Sequence, residues 1–202
     1  MQITAELAGW EATYLALEAR ASEPYAAFVY EDEAEAERVQ RLLFDRDVGD
    51  LARGFGRLAL VDGAPAGMLA AIPGDQLGKA RLKAALVLRK AGVFEAPGTA
   101  RRSSLAGQTL AKVAPDDLYL SRIAVAEGFR GRGIGNGLLV HYEAQGRRLG
   151  ARRLVLEVSP THREALRLYE RAGFAITGGG EAEDAATGRR LVYHHMTKPL
   201  AG

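Results

Sequence analysis

Residues 117–137, DLYLSRIAVAEGFRGRGIGNG, decide the fold class of this chain. The first part, DLYLSRIAVAEGF, has the apolar and β-branched composition of a strand. A glycine-rich loop follows, and the sequence after it, LLVHYEAQGRRLG, is typical of a helix. A loop that opens a helix brings unpaired main-chain N–H groups to one point. The stretch therefore predicts an α/β fold with an anion-binding loop between a strand and a helix.

The loop itself, Arg130 to Gly137, reads RGRGIGNG. Glycines let the main chain approach an oxyanion closely, since no Cβ stands in the way. The positive end of the helix dipole adds attraction, and Arg130 and Arg132 add charge. The natural ligand of such a loop is a pyrophosphate.

Other loops of this kind have different spacings. A P-loop requires G-x-x-x-x-G-K-[ST], which is absent. A dinucleotide fingerprint requires G-x-G-x-x-G, which the glycines here do not match, although Glu157 lies about where its ribose-binding acid would fall. A flexible turn is an alternative, and so is an arginine-glycine RNA tract, but such tracts are repetitive and disordered.

Downstream, the pattern alternates strand and helix. ARRLVLEVSP is typical of a strand, and THREALRLYERAG of a helix that ends at Gly173. FAITGG and RRLVYHHMTKPL are predicted strands, separated by a glycine-rich, acidic loop over residues 178–189.

Upstream, residues 2–6 are a candidate strand, and Leu7, Trp10, Tyr14 and Leu17 recur at helical spacing. A second helix is predicted over residues 32–45. Strands at about 57–62 and 66–72 flank Asp62-Gly63, a dipeptide favoured in tight hairpin turns. Residues 75–113 are predicted to be helical, an insertion or lid with Leu82, Leu86 and Val87 on one side.

Composition excludes several classes of site and location. The chain has 202 residues, 48% hydrophobic and 26% charged, with no cysteine, so disulfides, thiolate metal sites and a cysteine nucleophile are excluded. Adjacent strand residues face opposite ways, so His194-His195 predicts no metal site. The N-terminus lacks signal-peptide features, and no apolar run spans a membrane. We expect a cytoplasmic protein that has no metal and does not bind membranes.

Charge is unevenly distributed although the net charge is only +2. Residues 31–50 contain eight acidic and three basic residues, whereas residues 75–112 contain eight basic and two acidic residues. Such blocks are usually solvated helix faces. The basic block has only Phe94 for stacking on a base, so we do not expect nucleic acid as a partner.

Taken together, these residues resemble the GNAT superfamily of acyl-CoA-dependent N-acyltransferases. The family loop [Q/R]-x-x-G-x-[G/A] is matched by residues 130–135, RGRGIG. The family's later Ala, Leu-Tyr and Gly-Phe correspond to Ala165, Leu168-Tyr169 and Gly173-Phe174. The ending VYHHMTKPL resembles the family's last strand. The resemblance covers about residues 56–200, and before that only the presence of helices agrees.

The resemblance implies a GNAT-like mixed, mostly antiparallel sheet with helices on both faces. Two parallel strands, 117–125 and 153–158, would splay apart and hold the pantetheine arm of acetyl-CoA between them. Residues 1–202 would form one domain, with acceptor-side helices at 1–55, the helical insertion at 75–113 and the coenzyme-binding core at 117–200.

The same resemblance implies the coenzyme contacts. Main-chain groups of Ile123, Ala124 and Val125 would pair with the pantetheine arm. His162 stands where the family often has an asparagine that contacts the coenzyme, and a surface position in the first helical turn is the alternative. The pyrophosphate would lie on the loop, that is on Arg130, Gly131, Arg132, Gly133, Ile134, Gly135 and Asn136.

The implied reaction is direct attack of an amine on the thioester. By resemblance, Tyr169 would protonate the leaving thiolate, although a core aromatic on an amphipathic helix is the alternative. A base must remove a proton from the amine. Glu157 on the splayed strand is the candidate, with Glu31 and with Ser121 and Tyr119, which strand alternation places on the face of Ile123, also open.

We therefore expect acetyl-CoA and an amine as partners, for a monomer or a homodimer. If residues 31–50 line the acceptor cleft, their acidic side chains favour a cationic amine. A catalytically inactive module that senses acyl-CoA and an RNA-binding domain are the alternative functions.

Overall fold

The fold is seen in a computed structural model that describes residues 1–200. Seven strands and six α-helices, with short 3₁₀ turns, make up this part of the chain. In chain order they are β1 (Gln2–Thr4), α1 (Glu11–Val29), α2 (Glu33–Asp45), β2 (Gly56–Val61), β3 (Ala64–Pro73), α3 (Gly74–Lys90), α4 (Thr99–Gln108), β4 (Asp117–Val125), α5 (Ile134–Arg148), β5 (Arg153–Val158), α6 (Arg163–Arg171), β6 (Ala175–Asp184) and β7 (Arg189–Pro199).

All seven strands form one sheet in the order β1-β2-β3-β4-β5-β7-β6. Every neighbouring pair is antiparallel except β4 and β5, which run parallel. The expected mixed, mostly antiparallel sheet with one parallel pair is confirmed.

The β2–β3 hairpin turns at the expected dipeptide. Val61 pairs with Ala64, which leaves Asp62 and Gly63 as the two turn residues. Both have positive φ, 51° and 77°, as a two-residue hairpin of the primed type requires.

Helices cover both faces of the sheet. On one face, α5 and α6 pack over a core that contains Leu118, Leu120 and Leu154. On the other face, α1 packs over Met68 with the predicted residues Leu7, Tyr14 and Leu17. Further along that face, α3 contributes Leu77 to a third cluster with Tyr119 and Val155. The parallel strand pair therefore lies between two helical layers.

The predicted insertion is helical, and the side of α3 that carries Leu82 and Leu86 faces solvent. Leu77 and Ala80 of α3 are buried, whereas Leu82 and Leu86 are 61% and 51% exposed. The residues that a helix buries are those that face neighbouring elements. Because α3 packs on β3 and β4 mainly through its first turns, its residues there are the buried ones.

The predicted loop over residues 178–189 is wrong in its first half. Strand β6 continues to Asp184, and only the following residues turn back into β7. Gly180 is required there for close packing, because a Cβ would overlap the main chain of Thr109 at the end of α4. Glycine is therefore needed in this segment because the end of α4 packs closely against β6, and not because the chain turns there. Asp184 is fully buried and pairs with Arg101 of α4.

Candidate active site

The parallel strands β4 and β5 separate at their carboxyl ends. They are paired from Asp117 with Arg153 to Leu120 with Leu156, and beyond that point both strands continue unpaired with each other. The expected splayed pair is therefore present. A gap between two parallel strands leaves main-chain hydrogen-bonding groups free for a ligand.

A β-bulge lies at the point where the gap opens. Ala70 of β3 pairs with Arg122 and Ala71 pairs with Leu120, so Ser121 has no partner in the register. The extra residue reverses the side-chain alternation of β4. Ile123 packs with the α5 side of the sheet, whereas Tyr119 belongs to the cluster under α3. The expectation that Tyr119 and Ile123 share a face is therefore wrong.

Main-chain direction distinguishes the three β4 residues expected to hold the pantetheine arm. The Ala126 N–H donates to Ala66 of β3 at 2.9 Å. In an antiparallel pair these groups alternate between the two edges of a strand, so those of Ala124 also point to β3. The groups of Ile123 and Val125 point into the gap. The expected main-chain contact from Ala124 is therefore not available to a ligand there.

The glycine-rich loop ends at Gly133, the residue that caps the N-terminus of α5. Gly131 and Gly133 have φ values of 73° and 77°, in the left-handed region that favours glycine. No side chain caps the helix. The first helical N–H to bond within the helix is that of Gly137, which donates to Gly133 at 3.0 Å. The preceding amides are therefore free to bind an anion.

The space in front of this loop is open. A Cβ built on Gly131 or Gly133 meets no other atom within 4 Å, whereas one on Gly135 would lie 3.0 Å from Leu168 of α6. Arg130, Arg132 and Asn136 are exposed at the rim. The Arg132 guanidinium lies 5.4 Å from the centre of the Phe129 ring. The loop thus combines free amides, room and two cationic side chains.

One cavity of about 1900 Å³ connects this loop with the strand gap and with the space between α1, α2 and α3. Gly133, Ile123, His162, Tyr169 and Glu157 all line it. His162 is the residue just before α6, where it is partly buried. The structure therefore brings the predicted site residues to one continuous cavity, with the exception of Arg132, which does not line it.

Tyr169 lies in the middle of α6 and is 5% exposed. Its ring packs edge-on against Phe174, with the ring centres 6.0 Å apart. Burial raises the pKa of the Tyr169 hydroxyl. Within residues 1–200 this hydroxyl forms no hydrogen bond, and the residue lines the cavity. The Tyr169 hydroxyl is thus protonated, and its O–H group is available to donate a hydrogen bond to a ligand.

Glu157 lies on β5 under the helical insertion. Its two carboxylate oxygens accept hydrogen bonds from the Tyr119 hydroxyl at 2.7 Å and from the Ala111 N–H at 2.6 Å. Burial raises the pKa of this carboxyl, although both hydrogen bonds oppose the shift. A carboxylate with a raised pKa in a cavity is a candidate base.

The other candidate bases have structural partners. Ser121 donates to Asp50 at 2.6 Å. Glu31 accepts from Arg102, a buried residue, at 3.0 Å, although Glu31 itself is 66% exposed. The Tyr119 hydroxyl donates a hydrogen bond to Glu157.

The model of the acetyltransferase (GNAT) family matches residues 13–174. The chain belongs to this family. A streptothricin acetyltransferase of Streptomyces lavendulae is 38% identical over 85 residues, which are 41% of this GNAT chain and 45% of that protein. The match therefore spans less than half the length of that curated relative.

Two solved structures resemble the GNAT chain over nearly its whole length. An N-acetyltransferase from Staphylococcus aureus Mu50 has a TM-score of 0.71 and 17% identity, covering 98% of this chain and 100% of that one. A ribosomal-protein-alanine N-acetyltransferase from Brucella melitensis has a TM-score of 0.61 and 20% identity, covering 99% of this chain and 100% of that one. At such identities the likeness shows the fold.

A charged network missed by the sequence analysis lies beside the GNAT strand gap. Arg122 of β4 donates to Glu18 of α1 at 2.9 Å, and Glu18 also contacts Gln40 of α2. Arg122 donates as well to the main chain of Ser121 at 2.7 Å. Glu18 is 3% exposed. The available signal in the sequence was its position four residues after Tyr14, on the apolar face of the predicted helix.

The described residues 1–200 contain no group of three or more His, Cys, Asp or Glu side chains placed to hold a metal ion. None of their helices combines the length and the apolar character that crossing a membrane demands.

Proposed function

We propose that this chain transfers an acetyl group from acetyl-CoA to a primary amine by direct attack. The observation that carries the proposal is the junction of two features in one cavity: the free amides before α5 and the gap between β4 and β5. A pyrophosphate and an extended amide-bearing arm are the two parts of coenzyme A that these features suit. The family supports the donor.

The coenzyme would bind with its pyrophosphate on the amides of residues 131–136. Its pantetheine arm would lie in the gap against the main chain of Ile123 and Val125. The rim cations Arg130 and Arg132 would attract the phosphates, and His162 would contact the arm from α6. Ala124 would form no main-chain hydrogen bond to the arm, because its N–H and C=O groups point to β3.

Residues around the thioester would stabilise charge as it develops. The Ile123 N–H, which points into the gap, would donate to the thioester oxygen as it becomes an oxyanion. Losing one such donor typically lowers the rate by about 10²–10³. Because this donor belongs to the main chain, its position depends on the bulge at Ser121.

The reaction would move one proton from the amine to the sulfur. Glu157 would take a proton from the ammonium group, and the neutral nitrogen would attack the thioester carbon. As the C–N bond forms and the C–S bond breaks, Tyr169 would donate its proton to the thiolate. An ordinary thiol has a pKa of about 8.5, so a hydrogen bond from a phenol is sufficient help. The acylated nitrogen then loses its second proton as the amide forms, and Glu157 releases the proton that it took. One of these two protons replaces the proton that Tyr169 gave to the sulfur, and the other goes to solvent.

Two measurements test this function together. Titration calorimetry with acetyl-CoA should show stoichiometric binding, and release of free thiol should then depend on an added amine. If acetyl-CoA binds but no amine in a broad panel releases thiol, the chain is a sensing module instead. Absence of acetyl-CoA binding would exclude both.

The division of the chain belongs to the same proposal. Residues 1–202 would form one domain, in which residues 1–55 and the insertion 75–113 surround the acceptor and residues 117–200 hold the coenzyme. A cytoplasmic location, a monomer or homodimer, and no nucleic-acid partner stay predictions from the sequence.

A further inference from the structure

Arg81 of helix α3 presents a guanidinium group to the inner end of the cavity. Its central carbon lies 5.3 Å from the centre of the Tyr119 ring, and Arg81 itself is partly buried. Tyr25 and Tyr193 line the same end. We call this region of the cavity the acceptor end. The residues that line it are Tyr25, Arg81, Tyr119, Arg122, Glu157 and Tyr193.

Arg81 forms no salt bridge and donates no hydrogen bond to a carboxylate in the part of the chain that the structure describes. Its guanidinium stacks on Tyr119, and its charge also acts on the Glu157 carboxyl, where it opposes the rise in pKa that burial causes. The other arginine of the acceptor end, Arg122, is matched to Glu18 at 2.9 Å. Arginine carries a fork of donors that fits a carboxylate, and a partly desolvated cation favours an anionic partner. The donors of Arg81 are therefore available to an anion from outside the chain.

A carboxylate that suits an ammonium group lies across the same tyrosine. The Tyr119 ring carries Arg81 on its face, and its hydroxyl donates to Glu157 at 2.7 Å. One anion-binding and one cation-binding group are therefore separated by the breadth of a single ring. This arrangement suits a ligand in which an ammonium and a carboxylate are attached to the same carbon atom.

The remaining polar groups at this end are compatible with such a ligand. Glu18 is compensated by Arg122 and Gln40, and Asp50 accepts from Ser121. The hydroxyls of Tyr25 and Tyr193 form no hydrogen bond within residues 1–200. Burial raises the pKa of both hydroxyls, so they are protonated donors.

We propose that the acceptor is an α-amino acid whose carboxylate binds Arg81 and whose α-ammonium lies against Glu157. This rests on the proposed acetyl transfer. The α-nitrogen, rather than a side-chain amine, is then the nucleophile, because Arg81 and Glu157 contact the face and the hydroxyl of one and the same ring, that of Tyr119. Helix α3 of the insertion becomes the element that selects the acceptor.

The probes are L-lysine and L-lysinamide, which differ only in the carboxylate. Lysine also has a side-chain amine, which offers the enzyme a choice of nitrogen. The wild-type protein should acetylate lysine with a kcat/KM at least tenfold above that of lysinamide, at the α-nitrogen as read by mass fragmentation. Equal values for the two probes, or acetylation at the ε-nitrogen, would overturn the proposal.

The variant Arg81→Gln should lower kcat/KM for lysine by about tenfold to hundredfold, as loss of a charged hydrogen bond implies, and should not lower kcat/KM for lysinamide, which has no carboxylate for Arg81 to bind. Arg89→Gln, at an exposed arginine on the same helix, removes the same charge away from the cavity and should change neither value. An equal loss for both probes in Arg81→Gln would show that Arg81 only supports the fold.

Binding without turnover separates this proposal from the proposed function. Calorimetry of lysine and lysinamide with the full chain should show a preference for the carboxylate that Arg81→Gln abolishes, while the Kd for acetyl-CoA stays within twofold. Binding of both probes with equal affinity, or of neither, overturns the amino-acid proposal. Acetyl-CoA binding and turnover of another amine would in that case leave the proposed function intact.

Discussion

The Tyr142 hydroxyl donates a 2.6 Å hydrogen bond to the carbonyl of Leu118, joining helix α5 to strand β4. The same oxygen accepts a hydrogen bond from the N–H of Val155 on β5 at 3.3 Å. Tyr142 is fully buried, so its phenol bridges the parallel strands just before they separate after Leu120 and Leu156. The helix that begins at the glycine loop therefore also fixes the strand gap.

Removing this bridge should destabilise the protein. Tyr142→Phe leaves two buried main-chain groups without their partner, so the free energy of unfolding should fall by about 1–3 kcal/mol, measured by urea denaturation. Tyr14→Phe is the matched control, because the buried Tyr14 hydroxyl has no hydrogen-bond partner in the described residues. Tyr14→Phe should be neutral or stabilising. Equal losses in the two variants would contradict the bridging role.

The glycine that caps α5 should be required for coenzyme binding. Gly133→Ala places a Cβ in the open space before the free amides and forces a side chain to φ 77°. We expect the acetyl-CoA Kd to rise at least tenfold in calorimetry. We also expect the free energy of unfolding to fall by about 1–2 kcal/mol, the usual cost of the left-handed region.

Gly128→Ala is the control for this variant. Gly128 precedes the same loop, does not have positive φ, and has open space where a Cβ would lie. The substitution should leave both the coenzyme Kd and the stability unchanged. If Gly133→Ala also keeps the wild-type Kd, the pyrophosphate does not lie on this loop.

Tyr169→Phe should separate chemistry from binding. The variant keeps the ring that packs on Phe174 and removes only the uncommitted hydroxyl. We expect kcat to fall at least tenfold while the acetyl-CoA Kd stays within twofold. Because burial raises the pKa of Tyr169, loss of its proton should not limit wild-type activity below about pH 10, its ordinary pKa. An unchanged kcat would assign protonation of the sulfur to another group.

Glu157→Gln should remove the acidic limb of the pH–rate profile. As a base, Glu157 acts only when ionised, and burial raises its pKa, so wild-type kcat/KM should rise with pH through that raised value. The variant should lose about 10²–10⁴ in kcat/KM and lack this limb. A variant that keeps the wild-type profile would show that Glu157 is not the base.

The pH dependence of the free energy of unfolding should report the raised pKa of Glu157 independently of enzyme activity. Glu157 has a higher pKa in the folded chain, so the folded state holds its proton where the unfolded state has lost it. Its contribution is fully present below the unfolded pKa and is lost as the pH rises through the folded pKa. Urea unfolding should therefore show wild-type stability falling across that window relative to Glu157→Gln. Parallel pH curves for the two proteins would contradict the raised pKa.

Local pattern was enough to predict some parts of the structure. The glycine loop, helix α5 and the Asp62-Gly63 turn depend on residues adjacent in sequence, and they were found where expected. The bulge at Ser121 could not be predicted, because it arises from the register with Ala70 and Ala71, about fifty residues away.

Long-range contacts account for the other differences. Gly180 was interpreted as part of a loop, but it lies in β6 because the end of α4 packs against it. The Glu18–Arg122 pair joins residues 104 positions apart. Arg81 was one of many basic residues in its block, and only its position on Tyr119 distinguishes it.

Coenzyme binding by the loop and the strand gap can be seen in a crystal structure of the chain with acetyl-CoA. We expect the pyrophosphate on the main-chain amides of residues 131–136 and the pantetheine arm between β4 and β5, beside the N–H groups of Ile123 and Val125. A coenzyme bound elsewhere, with the loop amides and the strand gap free of it, would show that these two features do not form the coenzyme site.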